Sequence, residues 1–283
     1  MVKEAIKKAD VLIEALPYIK KFHKKTFVIK YGGSILSEDR VRKSVLEDIV
    51  FLRYAGIRPL IVHGGGPNIS KRLEHEKRQS KFIDGMRVTD KFTLEIVKQE
   101  LDSLNDMIVN SIASQGIQAR GFKGDSSLIK ARKKKSKIDL GFVGEVTSFE
   151  SGALRDCLKE SVPVISPLGI CEDSQLYNIN ADEVACFLAS ELKAEKFVLL
   201  TDVLGVMRDP QDENSLISTI NLHAIENLIK EAVIGEGMVP KVRAAAKAIR
   251  SGVNKAHIVD AKIPHALLLE IFTNEGISTE IVH

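Results

Sequence analysis

The chain has 283 residues, with 41 Lys and Arg against 38 Asp and Glu, a formal net charge of +3, 44% hydrophobic and 28% charged residues. A chain of this length buries roughly three quarters of its unfolded surface, and its composition excludes a disulfide-stapled mini-fold, a disordered polymer and a fibre. A charge of +3 over so long a chain gives no reason to expect nucleic acid or an acidic membrane as the main partner.

Residues 1–25 read as an amphipathic helix, because Ala5, Ala9, Leu12, Leu16 and Ile19 recur at helical spacing, with a bend expected at Pro17. Its apolar face suits either packing on its own domain or contact with another copy of the chain. Short β-branched runs then alternate with longer helical ones. Strands are predicted at 26–29, 59–62, 162–165, 197–200, 256–259 and 279–282, and helices at 38–55, 90–115, 182–193, 221–231, 240–251 and 264–273. That rhythm predicts an α/β fold, a three-layer α/β/α sandwich around a mostly parallel central sheet. Segment 123–150 interrupts it with a basic run and a glycine pair, and reads as a hairpin-like insertion. No apolar stretch approaches the length of a membrane span, and the early lysines are not followed by a leader-like apolar run. Cys157, Cys171 and Cys186 show no CxxC spacing, so no zinc site is expected and a reducing cytoplasm is the natural setting.

Two glycine turns carry the chemistry. The first predicted strand runs into Lys30-Tyr31-Gly32-Gly33-Ser34 and the second into His63-Gly64-Gly65-Gly66-Pro67, both at carboxyl ends of strands, where open α/β sheets bind ligands. Glycines there let backbone N–H groups approach an anion, and a following helix adds its positive end. A single Gly-Gly pair is also what a tight turn needs. No GxxxxGK[ST] is present, and Gly235-Glu236-Gly237-Met238-Val239-Pro240 fails as GxGxxG, so neither the P-loop nor the Rossmann reading applies.

Further motifs follow: Gly85-Met86-Arg87-Val88-Thr89, Tyr177-Asn178-Ile179-Asn180-Ala181-Asp182, the 200–206 segment, and Gly235 through to Lys241. In order and spacing they resemble the acetylglutamate kinases of the amino-acid kinase family, from about residue 26 to the last residue. The helical extension with Leu16-Pro17-Tyr18-Ile19 is similar to that of the arginine-inhibited, hexameric branch. The resemblance implies transfer of the γ-phosphoryl of ATP to the side-chain carboxylate of N-acetyl-L-glutamate. It also implies an oligomerising segment at 1–25, an amino-acid-binding lobe at 26–180 and a nucleotide-binding lobe at 181–283.

Residue by residue, the resemblance makes Lys30 and Lys241 the cations beside the transferring phosphoryl and Asp182 the carboxylate that holds them. Gly65, Gly66, Arg87 and Asn178 fall where the amino-acid substrate is held, and Gly33, Thr201, Asp202, Gly205, Gly237 and Met238 where the nucleotide is held. Tyr18, His257, Glu270 and Gly276 match an arginine effector site, and Mg²⁺ is expected to arrive with ATP, carried by phosphates and water without a dedicated protein metal site. Plainer readings stand beside these: a helix N-cap for Asp182, a surface ion pair for Arg87, a turn for Asn178, a core histidine for His257 and a solvated helix position for Glu270. The basic run 132–137 reads as a solvated loop, since no aromatics interleave with it. Glu236 and Ser278 stand where the family usually has glycine, which bears on nucleotide affinity and on arginine inhibition. Rival readings are a kinase of the same fold with another acceptor, or a sensor that binds without turnover.

Overall fold

The structure, a computed structural model, describes residues 2–83, 85–235, 237–273 and 276–283; Glu236 lies outside them. Side-chain alternation along the strands creates two cores. In the Thr26–Tyr31 strand, Val28 faces one cluster of buried apolar side chains while Phe27, Ile29 and Tyr31 face another, as a period of two requires. Phe197 and Leu199 of the Lys196–Thr201 strand join the first cluster, and Val198 and Leu200 the second. The first face is covered by helices Ser151–Glu160, Ala181–Glu191, Ile225–Lys230 and Val239–Arg250. Helices Asp39–Tyr54, Lys91–Ala113 and Ala266–Phe272 cover the second. The outcome is the three-layer α/β/α sandwich that the sequence predicts.

The central sheet has eight strands, in the order Thr219–Asn221, Thr279–Val282, Lys255–Asp260, Lys196–Thr201, Thr26–Tyr31, Arg58–His63, Val162–Ile165 and Ala119–Phe122. The last six of these run parallel, whereas Thr279–Val282 is antiparallel to Lys255–Asp260. Tyr31 and His63 are register partners at the carboxyl ends of neighbouring strands. Both glycine turns therefore leave the sheet side by side.

Three differences from the sequence reading have physical causes. The 221–231 helix shrinks to Ile225–Lys230, because Thr219–Asn221 pairs with Thr279–Val282 at the sheet edge, and a pairing partner outweighs local helical pattern. Helix Gly66–His75, hidden in a Gly-Gly-Pro run that reads as a turn, starts with glycine at its N-cap and proline in its first turn. Within 123–150, Ile129–Lys133 and Gly144–Phe149 do pair antiparallel, but they also recruit Leu168–Ile170 and Leu176–Asn178 into a four-stranded sheet. Pro17, where the sequence predicts a bend, lies within helix Val2–Phe22.

Among the described side chains of that helix, Ala15, Tyr18, Ile19 and Phe22, near its end, pack on the second core. Leu12 and Ile13 are 69% and 67% exposed; the side chain of Ala5 lies outside the described ones. No helix among the described residues is long and apolar enough to cross a membrane.

The four-stranded sheet is joined to Thr89 through a glycine. Gly141 has φ +71°, and a Cβ there would lie 2.1 Å from the Thr89 carbonyl oxygen; Phe142 N donates to that oxygen at 2.7 Å and Thr89 N donates to Leu140 O at 3.0 Å. Gly141→Ala is expected to destabilise the chain by about 2 kcal/mol or more, through a strained φ and a backbone clash. Urea denaturation reads this directly, and an unchanged midpoint would show that the joint carries no stability.

Candidate active site

Lys30 is the fifth residue of its strand and shares the face of Val28, so it points toward helices Ala181–Glu191 and Val239–Arg250. There its Nζ lies 3.0 Å from Asp182 Oδ1, and Lys241 Nζ lies 3.9 Å from Asp182 Oδ2. The Lys30 contact is an ion pair without an in-line hydrogen bond. Asp182 is not the helix cap. Asn180 is, its side chain accepting from the N–H groups of Asp182 (2.8 Å) and Glu183 (3.3 Å), which leaves the Asp182 carboxylate to the two lysines.

The glycine turns meet beside this trio. A Cβ on Gly33 would lie 2.9 Å from Gly66 N and 3.1 Å from Gly65 N, and one on Gly32 would come within 3.7 Å of Lys30 Nζ. Gly33 is thus bare because the N–H groups of the second turn face it. Gly65 is the N-cap of helix Gly66–His75, whose first-turn N–H groups have no partner inside the helix. Backbone donors and an ammonium therefore converge on one point, with the positive end of a helix behind them.

Gly65, Gly66, Arg87 and Asn178 line a single cavity of about 150 Å³ that also includes Asn180 and Ala181, the residues just before Asp182. Arg87 is buried, at 6% exposure. Its Nη2 donates to Gly66 O (3.0 Å) and Ser70 Oγ (2.8 Å), its Nη1 donates to Ser80 Oγ, and its guanidinium lies over the Phe82 ring at 4.6 Å. Three of its five N–H donors are taken, so two remain. Among the described residues no carboxylate pairs with it, and burial pulls its pKa below the ordinary guanidinium value. A buried cation without a counter-ion suits an anionic ligand. Asn178 Nδ2 donates to Thr89 Oγ1 at 3.1 Å, which keeps its amide oxygen available. Neither Ser70 nor Ser80 is signalled by the sequence, since isolated serines carry no pattern.

The candidate nucleotide residues do not line this cavity. Thr201 ends its strand buried, donating from Oγ1 to Asp202 Oδ1 at 3.4 Å, and Asp202 is exposed. Gly237 is exposed, and a Cβ there would meet nothing within 4 Å; Met238 is the N-cap of the helix bearing Lys241. Gly205 has a different reason to be glycine: a Cβ there would lie 2.5 Å from Thr279 Oγ1, the hydroxyl that accepts from Val206 N. It packs against the edge strand. Among the described residues no group of three or more His, Cys, Asp or Glu side chains could hold a metal. The basic run is largely paired, Arg132 with Glu145, Lys133 with Asp139 and Lys134 with Glu183.

A second cavity, of about 380 Å³, lies against the end of helix Val2–Phe22 and is lined by Tyr18, His257, Glu270 and Gly276 together. Tyr18 packs edge-on against Phe272. His257 Nδ1 donates to Glu270 Oε1 at 2.7 Å, Ile277 N donates to Glu270 Oε2 at 2.9 Å, and Gly276 takes φ +58° beside the same carboxylate. The sequence reading missed Lys196, whose Nζ donates to His257 Nε2 at 2.8 Å and also lines the cavity. For Glu270 burial pushes the pKa up, but hydrogen bonds from His257 and Ile277 leave it below the usual value; burial pulls His257 down.

Burial also pulls Lys196 down from 10.5 to about 8, against the upward pull of Glu270 and Glu280. Between pH 8 and 10.5 the unfolded chain keeps a proton that the folded chain has released, so stability from this group rises with pH across that window. Lys196→Met is expected to remove a rise of up to about 3 kcal/mol, seen as denaturation midpoints that change less with pH. Equal slopes in both proteins would show that Lys196 titrates normally.

A family model described as the amino acid kinase family matches residues 25–260. The acetylglutamate kinase of Syntrophomonas wolfei is 45% identical over 286 residues, covering 100% of both chains, and that of Desulforamulus reducens is 46% identical over 281 residues, covering 98% of both. Among solved structures, N-acetylglutamate synthase from Neisseria gonorrhoeae, complexed with coenzyme A and N-acetyl-glutamate, superposes with a TM-score of 0.88 at 24% identity. That match covers 97% of this chain and 63% of the synthase, and it concerns the fold. By its sequence and by the architecture around its two glycine turns, the chain belongs to the amino acid kinase family.

Proposed function

We propose that the chain transfers the γ-phosphoryl group of ATP to the side-chain carboxylate of N-acetyl-L-glutamate, giving N-acetyl-L-glutamyl 5-phosphate and ADP, a step of arginine biosynthesis. Full-length identity of 45–46% to acetylglutamate kinases supports this. The observation that carries it is the Lys30–Asp182–Lys241 trio, set beside backbone donors at the edge of a cavity lined by a buried arginine that pairs with no carboxylate among the described residues.

A carboxylate is already a nucleophile at neutral pH, so the reaction asks for alignment and charge neutralisation, not for a base. A substrate carboxylate oxygen forms the new bond to the γ-phosphorus as the bond to the bridging oxygen breaks, and ADP leaves with that electron pair. Lys30 and Lys241 offset the charge on the phosphoryl oxygens. One Asp182 carboxylate against two ammonium groups leaves a net positive charge to do this while fixing where both cations sit. The N–H groups at Gly33, Gly65 and Gly66 serve the same oxygens. Arg87 is proposed to pair with the α-carboxylate through its two spare donors, and Asn178 to accept an N–H from the acetamido group. Thr201, Asp202, Gly205, Gly237 and Met238 are assigned to the nucleotide side, with Gly205 acting through the packing of its loop. Mg²⁺ is proposed to enter with the ATP phosphates and to neutralise their charge there. In domain terms, residues 26–180 bind the amino-acid substrate and 181–283 the nucleotide.

Regulation and assembly belong to the second cavity and the first helix. L-arginine is proposed to bind between Tyr18, His257, Glu270 and Gly276 as a feedback inhibitor, its guanidinium or amine meeting Glu270. The exposed Leu12, Ile13 and Leu16 are proposed to pack against another copy of the chain in a hexamer, in the cytoplasm.

The direct test is acyl phosphate trapped as a hydroxamate, from ATP, Mg²⁺ and N-acetylglutamate, against glutamate, aspartate and carbamate as alternative acceptors. Activity confined to N-acetylglutamate is expected; turnover of another acceptor, or ligand binding without ADP, overturns the reading. Lys241→Ala is expected to lower kcat ~100-fold or more, and a near-normal kcat removes it from the reaction. Arg87→Lys is expected to raise KM for N-acetylglutamate ~10-fold, since a point charge cannot replace a fork of donors. Deleting residues 1–22 is expected to give smaller, active oligomers in sedimentation, and Glu270→Gln to abolish suppression by arginine.

A further inference from the structure

The second glycine turn is held from beneath by polar side chains buried as deeply as any apolar residue in the core. His63, the last residue of its strand, is 0% exposed, as is Asn105 on helix Lys91–Ala113; Ser166, just past the Val162–Ile165 strand, is 1% exposed. Carbonyl oxygens can only accept, and two of them fix the directions at Asn105 and His63. Asn105 Nδ2 donates to Val164 O at 3.0 Å, a carbonyl that can only accept, so the amide nitrogen faces the cluster and its oxygen faces away. That oxygen is buried without a partner, over Gly121, where a Cβ would lie 2.2 Å from it. The second Asn105 N–H lies 3.2 Å from Ser166 Oγ and 3.2 Å from His63 Nε2, and the Ser166 hydroxyl lies 3.2 Å from the same nitrogen, so His63 Nε2 accepts from one or both. With Nε2 an acceptor, the imidazole proton sits on Nδ1 and is donated to Gly64 O at 3.2 Å. Burial pulls the imidazole pKa down to about 4, so the ring is neutral and keeps this tautomer at working pH.

The end point matters because of what Gly64 O belongs to. The Gly64 carbonyl and the Gly65 N–H share one peptide plane, and in a trans peptide they point in opposite directions. A hydrogen bond that draws Gly64 O inward to His63 therefore aims Gly65 N–H outward, toward Gly33 and the cavity lined by Gly65 and Gly66. Glycine has no side chain to hold such a peptide by itself, so without an anchor the plane is free to rotate. Gly64 N, donating to Tyr31 O at 2.8 Å, fixes the preceding peptide and leaves this one to His63.

We infer that His63 is a positioning residue: held in its Nδ1–H tautomer by Ser166 and Asn105, it orients and polarises the Gly64–Gly65 peptide so that Gly65 N–H is preset for an anionic oxygen of the reacting groups. The consequence for turnover rests on the proposed phosphoryl transfer, whereas the tautomer and the peptide orientation do not. The chain Asn105–Ser166–His63 keeps its buried amide oxygen unpaired because a flipped amide would set two acceptors against each other at Val164.

The test has two arms on the full-length protein. In the first, ¹⁵N-histidine labelling reads the His63 nitrogens of the wild type: a protonated Nδ1 and a bare Nε2, unchanged down to about pH 5, are expected, and an Nε2–H tautomer or a charged ring overturns the proposal. In the second, His63→Leu is expected to lower kcat about 10- to 100-fold, the range seen when a partner that orients a functional group is lost. KM for N-acetylglutamate should move far less. His63→Asn, which places an amide N–H near the Nδ1 position, is expected to recover most of kcat. Equal losses in the Leu and Asn variants at matched thermal stability would mean that His63 only fills space, and would sink the positioning role. If His63→Leu does not fold, Ser166→Ala in uniformly ¹⁵N-labelled protein should broaden or shift the Gly65 amide resonance, and an unmoved resonance overturns the coupling. A wild type inactive toward every acceptor would refute the kinase reading while the tautomer arm still decides the geometry.

Discussion

Asp182 holds together two cations that would otherwise repel. Lys30 comes from a middle strand of the sheet and Lys241 from a helix 211 positions later, yet one carboxylate forms an ion pair with each, at 3.0 and 3.9 Å. The direct Coulomb attraction of an ion pair at about 4 Å is ~4 kcal/mol at an effective dielectric near 20, before the desolvation that opposes it. The rest of the fold supplies what this arrangement needs: a strand whose alternation aims Lys30 at the first helical layer, and an Asn180 cap that frees the Asp182 side chain from local duty. The glycine turns come second. They stand beside the trio because their strands are parallel neighbours in register, Tyr31 opposite His63.

The two cavities treat charge in opposite ways, and this separates their roles. In the first, Arg87 is buried among serine hydroxyls, a backbone carbonyl and an aromatic face, without a carboxylate among the described residues. The cation is left to be completed by an anion. In the second, Lys196 donates to His257, and His257 and the Ile277 N–H donate to Glu270, so the buried cation and the carboxylate are already linked through the imidazole, while Ser278 Oγ on the same lining is buried without a hydrogen-bond partner. A ligand there works against existing hydrogen bonds and must offer better ones, which favours a group with several fixed donors. The helix carrying Glu270 is fastened to helix Asp39–Tyr54 by the buried Asp48, which accepts from His265 Nδ1 at 2.7 Å and from Leu267 N at 3.2 Å. Burial raises Asp48 to about 6, against those same hydrogen bonds.

Most of the strands and the longer helices are legible in the sequence, because apolar period and β-branched runs are set by the same burial that forms the layers. Elements whose existence depends on a partner are not. Thr219–Asn221 is a strand only because Thr279–Val282 lies beside it, and Leu168–Ile170 and Leu176–Asn178 are strands only because the 129–149 hairpin offers an edge. Helix Gly66–His75 is concealed by its own start signal, glycine and proline, which in isolation read as a turn.

The site divides along the same line. Residues inside contiguous motifs, such as Lys30, Gly65, Gly66, Arg87 and Asn178, announce themselves, and the structure brings the last four to one cavity. Residues that act from elsewhere in the chain do not. Ser80 and Ser70 fix Arg87, Lys196 completes the His257 chain, and Asn105 and Ser166 set the His63 tautomer across separations of 42 and 103 positions. None has a local pattern, since a polar side chain becomes a partner only when folding removes its water and leaves one donor or acceptor within reach. Gly121 shows how such information does enter the sequence, in disguise. In the fold its missing side chain is the space that Asn105 Oδ1 requires. A glycine can thus report on a side chain elsewhere in the chain, and only the fold reveals which one.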